Sequence, residues 1–137
     1  MLEGNLICMK TFYVASSFKN IDKVREVSHS MKRKRFIQTY DWTLHSRAAT
    51  VADLQAIGHA EKEAVTEADI IIVILPAGKG SHIELGMAIA QGKQIYLYDT
   101  DQQVNNMAST STFYHLPDIT LVTGSVDQLI EKVINDD

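Results

Sequence analysis

Cysteine is almost absent. Cys8 is the one cysteine in 137 residues, so no disulfide can form within the chain, no Cys cluster or Cys-His pair is available to hold a metal, and a reducing, cytoplasmic setting is expected. A basic surplus is missing too: 13 Lys and Arg face 17 Asp and Glu, for a formal charge of −4 and a pI near 5.7. That balance argues against a nucleic-acid partner, whose phosphates call for an excess of Lys and Arg. Only Lys32-Arg33-Lys34-Arg35 is locally basic, and it stands where a helix should end, a place the helix dipole favours for solvated cations. No stretch approaches the ~18 consecutive apolar residues of a membrane span, and the amino terminus lacks the charged-then-apolar pattern of a signal peptide, so no membrane partner is expected. Phosphate-loop patterns are missing as well. Lys79 is followed by Gly80, not by Ser or Thr, and Gly78 and Gly80 are followed by Ile83 where a dinucleotide fingerprint needs a third glycine. His45, His59, His82 and His115 have no paired spacing with Cys or carboxylates, so no metal and no cofactor are called for, and His82 reads as a surface or rim residue of a helix's first turn.

With 45% apolar and 22% charged residues, the composition is that of one soluble globular domain with one core. We place that domain at residues 9–137 and read residues 1–8, ahead of Met9, as an amino-terminal extension. The chain is organised around residues 69–93. Residues 70–75 are an unbroken, largely β-branched apolar run ended by Pro76, which suits a central parallel strand covered on both faces. Pro76-Ala77-Gly78-Lys79-Gly80 then reads as a loop. From Ser81 onward, Leu85, Ala88 and Ile89 recur at helical spacing, with Gly92 as the stop. Such a loop, at the carboxyl end of a parallel strand and opening into a helix, is where open α/β sheets bind ligands. Glu84 lies in that first turn with two readings. Ser81-His82-Ile83-Glu84 fits a capping box, or else Glu84 faces the crevice as a nucleophile or general acid/base, with Gly80 and Gly86 admitting a ligand.

The remaining segments supply the other walls. Residues 10–16 form a first apolar strand, followed by a loop containing Ser16, Ser17 and Lys19 and by an amphipathic helix over residues 20–34. The loop is either plain connecting chemistry or an anion site at the helix amino terminus. Residues 36–40 are a second strand ending in Tyr40-Asp41-Trp42-Thr43, an unusual cluster for a simple connection. Trp42 there either packs or stacks a planar base, and Asp41 is taken with it as a candidate contact. Residues 44–50 read as a mobile loop, and Thr50-Val51-Ala52-Asp53 as a helix start. In the helix over residues 50–68, Leu54, Ile57, Gly58, Glu61, Ala64, Val65 and Ala68 share the stripe that should cover the sheet. Glu61 on such a stripe needs either a salt-bridge partner or a polar cavity. A fourth strand over residues 94–98, a polar stretch over 99–111 containing Asn106 and Ser109, a fifth strand over 119–122 and a helix capped by Ser125 and Gln128 complete the chain. The fold class is therefore α/β: a single-domain, doubly wound, five-stranded parallel sheet of flavodoxin or Rossmann-like type, order 2-1-3-4-5, with strands 1 and 3 flanking the switch point.

Two carboxylates at one crevice suit glycosyl transfer, one attacking the anomeric carbon and another group managing the proton on the leaving group. Phe12-Tyr13-Val14-Ala15-Ser16-Ser17-Phe18, Ala68-Asp69-Ile70-Ile71-Ile72-Val73 and Gly80-Ser81-His82-Ile83-Glu84-Leu85-Gly86-Met87-Ala88 resemble the nucleoside 2-deoxyribosyltransferase family, including its nucleotide N-glycosidase relatives, over most of residues 10–135. The resemblance implies that Glu84 is the nucleophile, that Glu61 stands where relatives carry an Asp acting at the leaving base or sugar, and that Tyr13 is the aromatic beside the catalytic glutamate. It implies that Ser17 and Lys19 hold a 5′-phosphate in nucleotide-hydrolysing relatives. It further implies a homo-oligomer with shared active sites, to which Asn106 or Ser109 of a neighbouring subunit would contribute. Ser16, Asp41, Trp42, Gly78, Lys79, Gly80 and Ser81 complete the substrate-binding candidates. The expected activity is cleavage of the N-glycosidic bond of a small-molecule nucleoside or nucleotide with transfer to another base. The alternatives are hydrolysis of a (deoxy)nucleoside 5′-monophosphate and a non-catalytic nucleotide-binding module on the same fold.

Overall fold

A computed structural model describes residues 10–45 and 47–137; the extension read at residues 1–8, with Cys8, lies outside them. Five parallel strands form one sheet in the order β2-β1-β3-β4-β5: β1 (Thr11–Ala15), β2 (Ile37–Gln38), β3 (Ile70–Ile74), β4 (Gln94–Tyr98) and β5 (Ile119–Val122). β3 lies between β1 and β4, in register Phe12 with Ile70 on one side and Ile70 with Gln94 on the other. All five β3 residues are buried, because helices cover both faces of a parallel sheet and a central strand has no wet side. At roughly 1.5–3 kcal/mol for each fully buried aliphatic side chain, this strand is a principal anchor of the core.

Four helices connect and cover the strands: α1 (Ile21–Arg33), α2 (Val51–Glu67), α3 (Lys79–Ala90) and α4 (Val126–Asp136). α1 packs with α4 on one face and α2 with α3 on the other, the placement that right-handed crossovers give to this strand order. Their ends are set by local chemistry. Thr50 Oγ1 accepts from the Asp53 N–H at 3.1 Å, and Asp53 returns the bond to the Thr50 N–H at 3.2 Å. Ser125 and Gln128 make the same reciprocal pair at the start of α4. After α3, Gly92 takes φ 69°, a left-handed value that glycine adopts without Cβ strain. The basic run sits as expected, with Lys32 and Arg33 in the last turn of α1.

Two expectations are corrected. The second strand is only Ile37–Gln38, not residues 36–40. Arg35 turns the chain at φ 74° while its N–H and that of Phe36 close onto Lys32 O and Met31 O, so the helix exit uses the residues before Ile37. Past Gln38, the Thr39 N–H still bonds Phe12 O, and then the chain leaves the edge. The stripe of α2 also divides. Ala64 and Val65 are buried against the sheet, whereas Leu54 is 61% exposed and Ile57 is half-buried, because the amino-terminal half of this helix runs past the sheet and overhangs a cleft. Among the described residues, no helix is long and apolar enough to cross a membrane.

Candidate functional site

β1 and β3 are neighbours whose connections leave in opposite directions, so the loops after Ala15 and Ile74 diverge at their carboxyl ends and open a crevice. Side chains tie the two loops together. Ser16 Oγ donates to Ile74 O at 2.8 Å, and Asn20 Nδ2 donates to both Ser16 Oγ and Pro76 O at 2.9 Å. Ser17 Oγ accepts from the Lys19 N–H at 3.2 Å, starting a 3-10 turn, Phe18–Asn20, ahead of α1.

Across the crevice, α3 begins at Lys79, two residues earlier than the sequence pattern indicates, with Gly78 at its amino-terminal cap position. Ser81 Oγ turns back to accept from the Gly78 N–H at 2.7 Å. The capping box expected between Ser81 and Glu84 is therefore not formed. Ser81 is already the third helical residue, and Glu84, one turn on, points inward. The residue is 6% exposed, and its carboxylate accepts a hydrogen bond from the Tyr13 hydroxyl at 3.0 Å. Gly86, taken from the sequence as an opening for a ligand, lies on the exposed side of α3 and not in the cleft wall, because α3 turns it away from Glu84.

The electrostatics of this corner are those of an acid pair without a cation. Burial first, and then repulsion by Glu61, push the Glu84 carboxyl up from 4.5 to about 8, with only the Tyr13 hydrogen bond pulling the other way. Glu61, half-buried on α2, is raised by its own desolvation. The salt-bridge reading of Glu61 fails, since among the described residues it makes no ion pair. Burial, followed by the charges of Glu84 and Glu61, holds the Tyr13 phenol protonated well above its ordinary range. Tyr40 is raised by desolvation, then by Glu61 and Asp41. A carboxyl that retains a proton near neutral pH inside a cleft, as Glu84 does, is suited to proton transfer and, once ionised, to nucleophilic attack.

The cleft occupies about 740 Å³, within the range of small-molecule sites. It brings together Tyr13, Glu61 and Glu84 with Ser16, Ser17 and Lys19, with Trp42, and with Gly78, Lys79, Gly80 and Ser81. Trp42 is 8% exposed, donates from Nε1 to Val14 O at 2.8 Å, and meets the edge of Phe18 at 5.3 Å, so it is packed into the wall it helps to line. Three candidates are not brought in. Asp41 is occupied as a cap, accepting from the Thr43 N–H and hydroxyl at 3.0 and 2.6 Å. Asn106 and Ser109 are exposed and lie outside this cleft of their own chain, because the segment after β4 folds back on Asp99, whose carboxylate takes the N–H groups of Asp101, Gln103 and Val104.

The cleft also contains residues that sequence reasoning passed over as site members: Phe18, Tyr40, His45, Arg47, Leu54 and Ile57. Tyr40 and His45 stack with centroids 5.3 Å apart. The signals were present but weak. Tyr40 belongs to the aromatic cluster already singled out, and Arg47 to the loop before α2. Among the described residues, no group of three or more His, Cys, Asp or Glu is arranged to hold a metal ion.

No curated protein sequence matches the chain. Among solved structures, the chain is similar to the CMP N-glycosidase BcmB of Clostridium botulinum, with 18% identity and a TM-score of 0.65 over 93% of this chain and 100% of that one. It is likewise similar to a conserved protein from Enterococcus faecalis, with 17% identity and a TM-score of 0.68 over 95% of this chain and 100% of the other. These likenesses establish a shared fold. The sequence profile described as nucleoside 2-deoxyribosyltransferase matches residues 12–119, which run from β1 to the start of β5 and include every residue lining the cleft, and the chain belongs to that family.

Proposed function

We propose that the protein is an enzyme that cleaves the N-glycosidic bond of a (deoxy)nucleoside or nucleotide through Glu84 and transfers the sugar to another base. The observation that carries this reading is the Glu84 carboxylate, buried in a ligand-sized cleft, hydrogen-bonded by Tyr13 and opposed by no cation. In the forward step an oxygen of Glu84 attacks the anomeric carbon and the bond from that carbon to the base nitrogen breaks. The electron pair leaves with the base, and the proton that Glu84 gives up on ionising passes to Glu61, whose proton affinity is raised by desolvation, and from Glu61 to the base nitrogen, so that the base leaves neutral. An acceptor base then attacks the glycosyl ester and gives its proton to Glu61. Tyr13 steadies the attacking carboxylate and limits how far its affinity for a proton rises.

Hydrolysis is the second reading. It is favoured by the open rim, where Lys19, Lys79 and Gly80 are exposed and water can reach the intermediate, and the similar fold of BcmB, a CMP N-glycosidase, offers a precedent. Oligomerisation belongs to the same proposal: the segment bearing Asn106 and Ser109 displays Met107 and Phe113 to solvent, apolar surface that a second copy would cover.

The test is incubation with a panel of nucleosides and their 5′-monophosphates, with and without an acceptor base, for wild type and Glu84→Gln. Wild type should release or exchange base, and the variant should lose several orders of magnitude in turnover while keeping its fold. A folded wild type without turnover on any substrate would leave the binding-module reading in its place.

A further inference from the structure

The first turn of α3 has weak support from its own residues. Gly80 disfavours a helix, and Gly78 at the cap position has no side chain to bond the turn. Lys79 and Gly80 are exposed, and a side chain at Gly80 would stand in open space, with nothing within 4 Å. Yet this turn sets the phase of the helix and with it the direction of Glu84. Support arrives through His82. Its Nδ1 donates to Gly78 O at 2.8 Å, one turn back, beside the His82 N–H and the Ser81 hydroxyl, which donate to the same oxygen at 3.1 Å. Its Nε2 meets the Tyr114 hydroxyl at 2.5 Å, with the two rings stacked 18° from parallel and 5.7 Å between centroids. The partners fix the tautomer: a carbonyl only accepts, so Nδ1 carries the proton and Nε2 accepts from Tyr114. Tyr114 is the anchored end. It is 7% exposed and belongs to the 3-10 turn Thr112–His115, which Ser111 Oγ caps by accepting from the Phe113 N–H at 3.1 Å. Desolvation, and then the charge of Asp99, keep its hydroxyl protonated and able to donate.

We propose that His82 and Tyr114 are positioning residues for Glu84: Tyr114, anchored in the segment between β4 and β5, holds the His82 ring against Gly78 O, and this strap keeps the first turn of α3 in the phase that points Glu84 into the cleft. The role rests on the reading of Glu84 as the nucleophile. Two residues along a helix stand about 200° apart, so His82 and Glu84 leave opposite sides of the same turn, one exposed and the other buried. The Tyr13 hydroxyl holds the carboxylate from the cleft side at 3.0 Å, and the strap holds the turn from the other. Without the strap the turn is free to rock, and a displacement of about 1 Å at a reacting group costs a rate on the order of a hundredfold. Rocking also admits water to the carboxyl and eases the desolvation that raises its proton affinity.

Three variants divide the strap. Tyr114→Phe keeps the stacked ring and removes the hydroxyl. His82→Phe keeps a ring against Tyr114 and removes the donor to Gly78 O, whereas His82→Asn gives up the ring and returns an amide donor where the Nδ1 proton stood. His82 is exposed, so its variants should fold, which thermal melting checks. The readouts are kcat and KM for base release from the fastest substrate of the nucleoside and monophosphate panel, and titration of the Glu84 carboxyl by carbon NMR, which needs no substrate. His82→Phe should lose about tenfold in kcat with KM within about twofold, and its Glu84 should titrate below the wild-type value of about 8. Tyr114→Phe should shift both readouts the same way by less. His82→Asn should stay within about threefold of wild type in kcat and keep the wild-type Glu84 titration. In wild type, proton–nitrogen correlation of the neutral His82 ring should find the proton on Nδ1. A neutral ring protonated on Nε2, a Glu84 titration unmoved in His82→Phe, or an Asn variant as impaired as the Phe variant overturns the proposal. The titration also separates the two levels. Base release by wild type with Glu84 unmoved in His82→Phe keeps the N-glycosidic reading and rejects the strap. A titration moved in His82→Phe and kept in His82→Asn, in a protein that releases base from no substrate, supports the strap's hold on Glu84 and rejects the N-glycosidic reading.

Discussion

Replacing Glu84 with glutamine should stabilise the protein at alkaline pH while abolishing its chemistry, and the size of the effect follows from the site. The carboxyl sits at about 8 in the folded protein against an ordinary 4.5, so between those values the native state holds a proton that the unfolded chain has lost. Its stabilising contribution is complete below pH 4.5, declines as the pH rises, and is gone once the pH passes through 8. At about 1.4 kcal/mol for each tenfold difference in proton affinity, ionisation in place costs roughly 3 to 5 kcal/mol, which is a large part of a typical domain's stability. Glutamine fills the same space, can still accept from the Tyr13 hydroxyl, and carries no charge at any pH. The assay is paired denaturant or thermal unfolding of wild type and Glu84→Gln at about pH 5.5, 7 and 9, in which titrations common to both proteins cancel. The two should melt within a few degrees of each other at the acid end. At the alkaline end the variant should melt about 10 °C higher, taking roughly 3 °C per kcal/mol for a chain of this size. A stability difference that stays constant from acid to alkaline pH would refute the assignment of Glu84 as a desolvated, repelled carboxyl.

Two further outcomes concern the pH dependence of kcat/KM, whose acid limb should follow ionisation of Glu84 near pH 8. Glu61→Gln removes the charge that repels Glu84, so its limb should move to lower pH even as the rate falls through loss of the proton donor; an unmoved limb would separate the two carboxylates. Tyr13→Phe removes the donor at 3.0 Å that favours the ionised form, so its limb should move to higher pH, and a shift in the opposite direction would refute the role given to that hydrogen bond.

The fold was legible in the sequence because a central parallel strand leaves a simple mark. Residues 70–74 are covered on both faces and so admit no charge, and the alternation of strands and helices then selects the order found. β4 and β5 coincide with the residues expected, 94–98 and 119–122. The start of α3 was not legible. Gly78-Lys79-Gly80 has the low helix propensity of a loop, yet the first turn contributes no donors to the helix ladder and lies against the β1 loop, so the helix begins there. Those two residues matter, because they turn Glu84 from a cap into a cleft carboxylate. The capping role of Asp41 was hidden for a related reason: a short acid in a connecting segment can bind a ligand or close a turn with equal ease, and here it accepts from the Thr43 N–H two residues on. Phe18, His45 and Arg47 sit in short connections that carry no periodicity, so only three-dimensional placement could gather them.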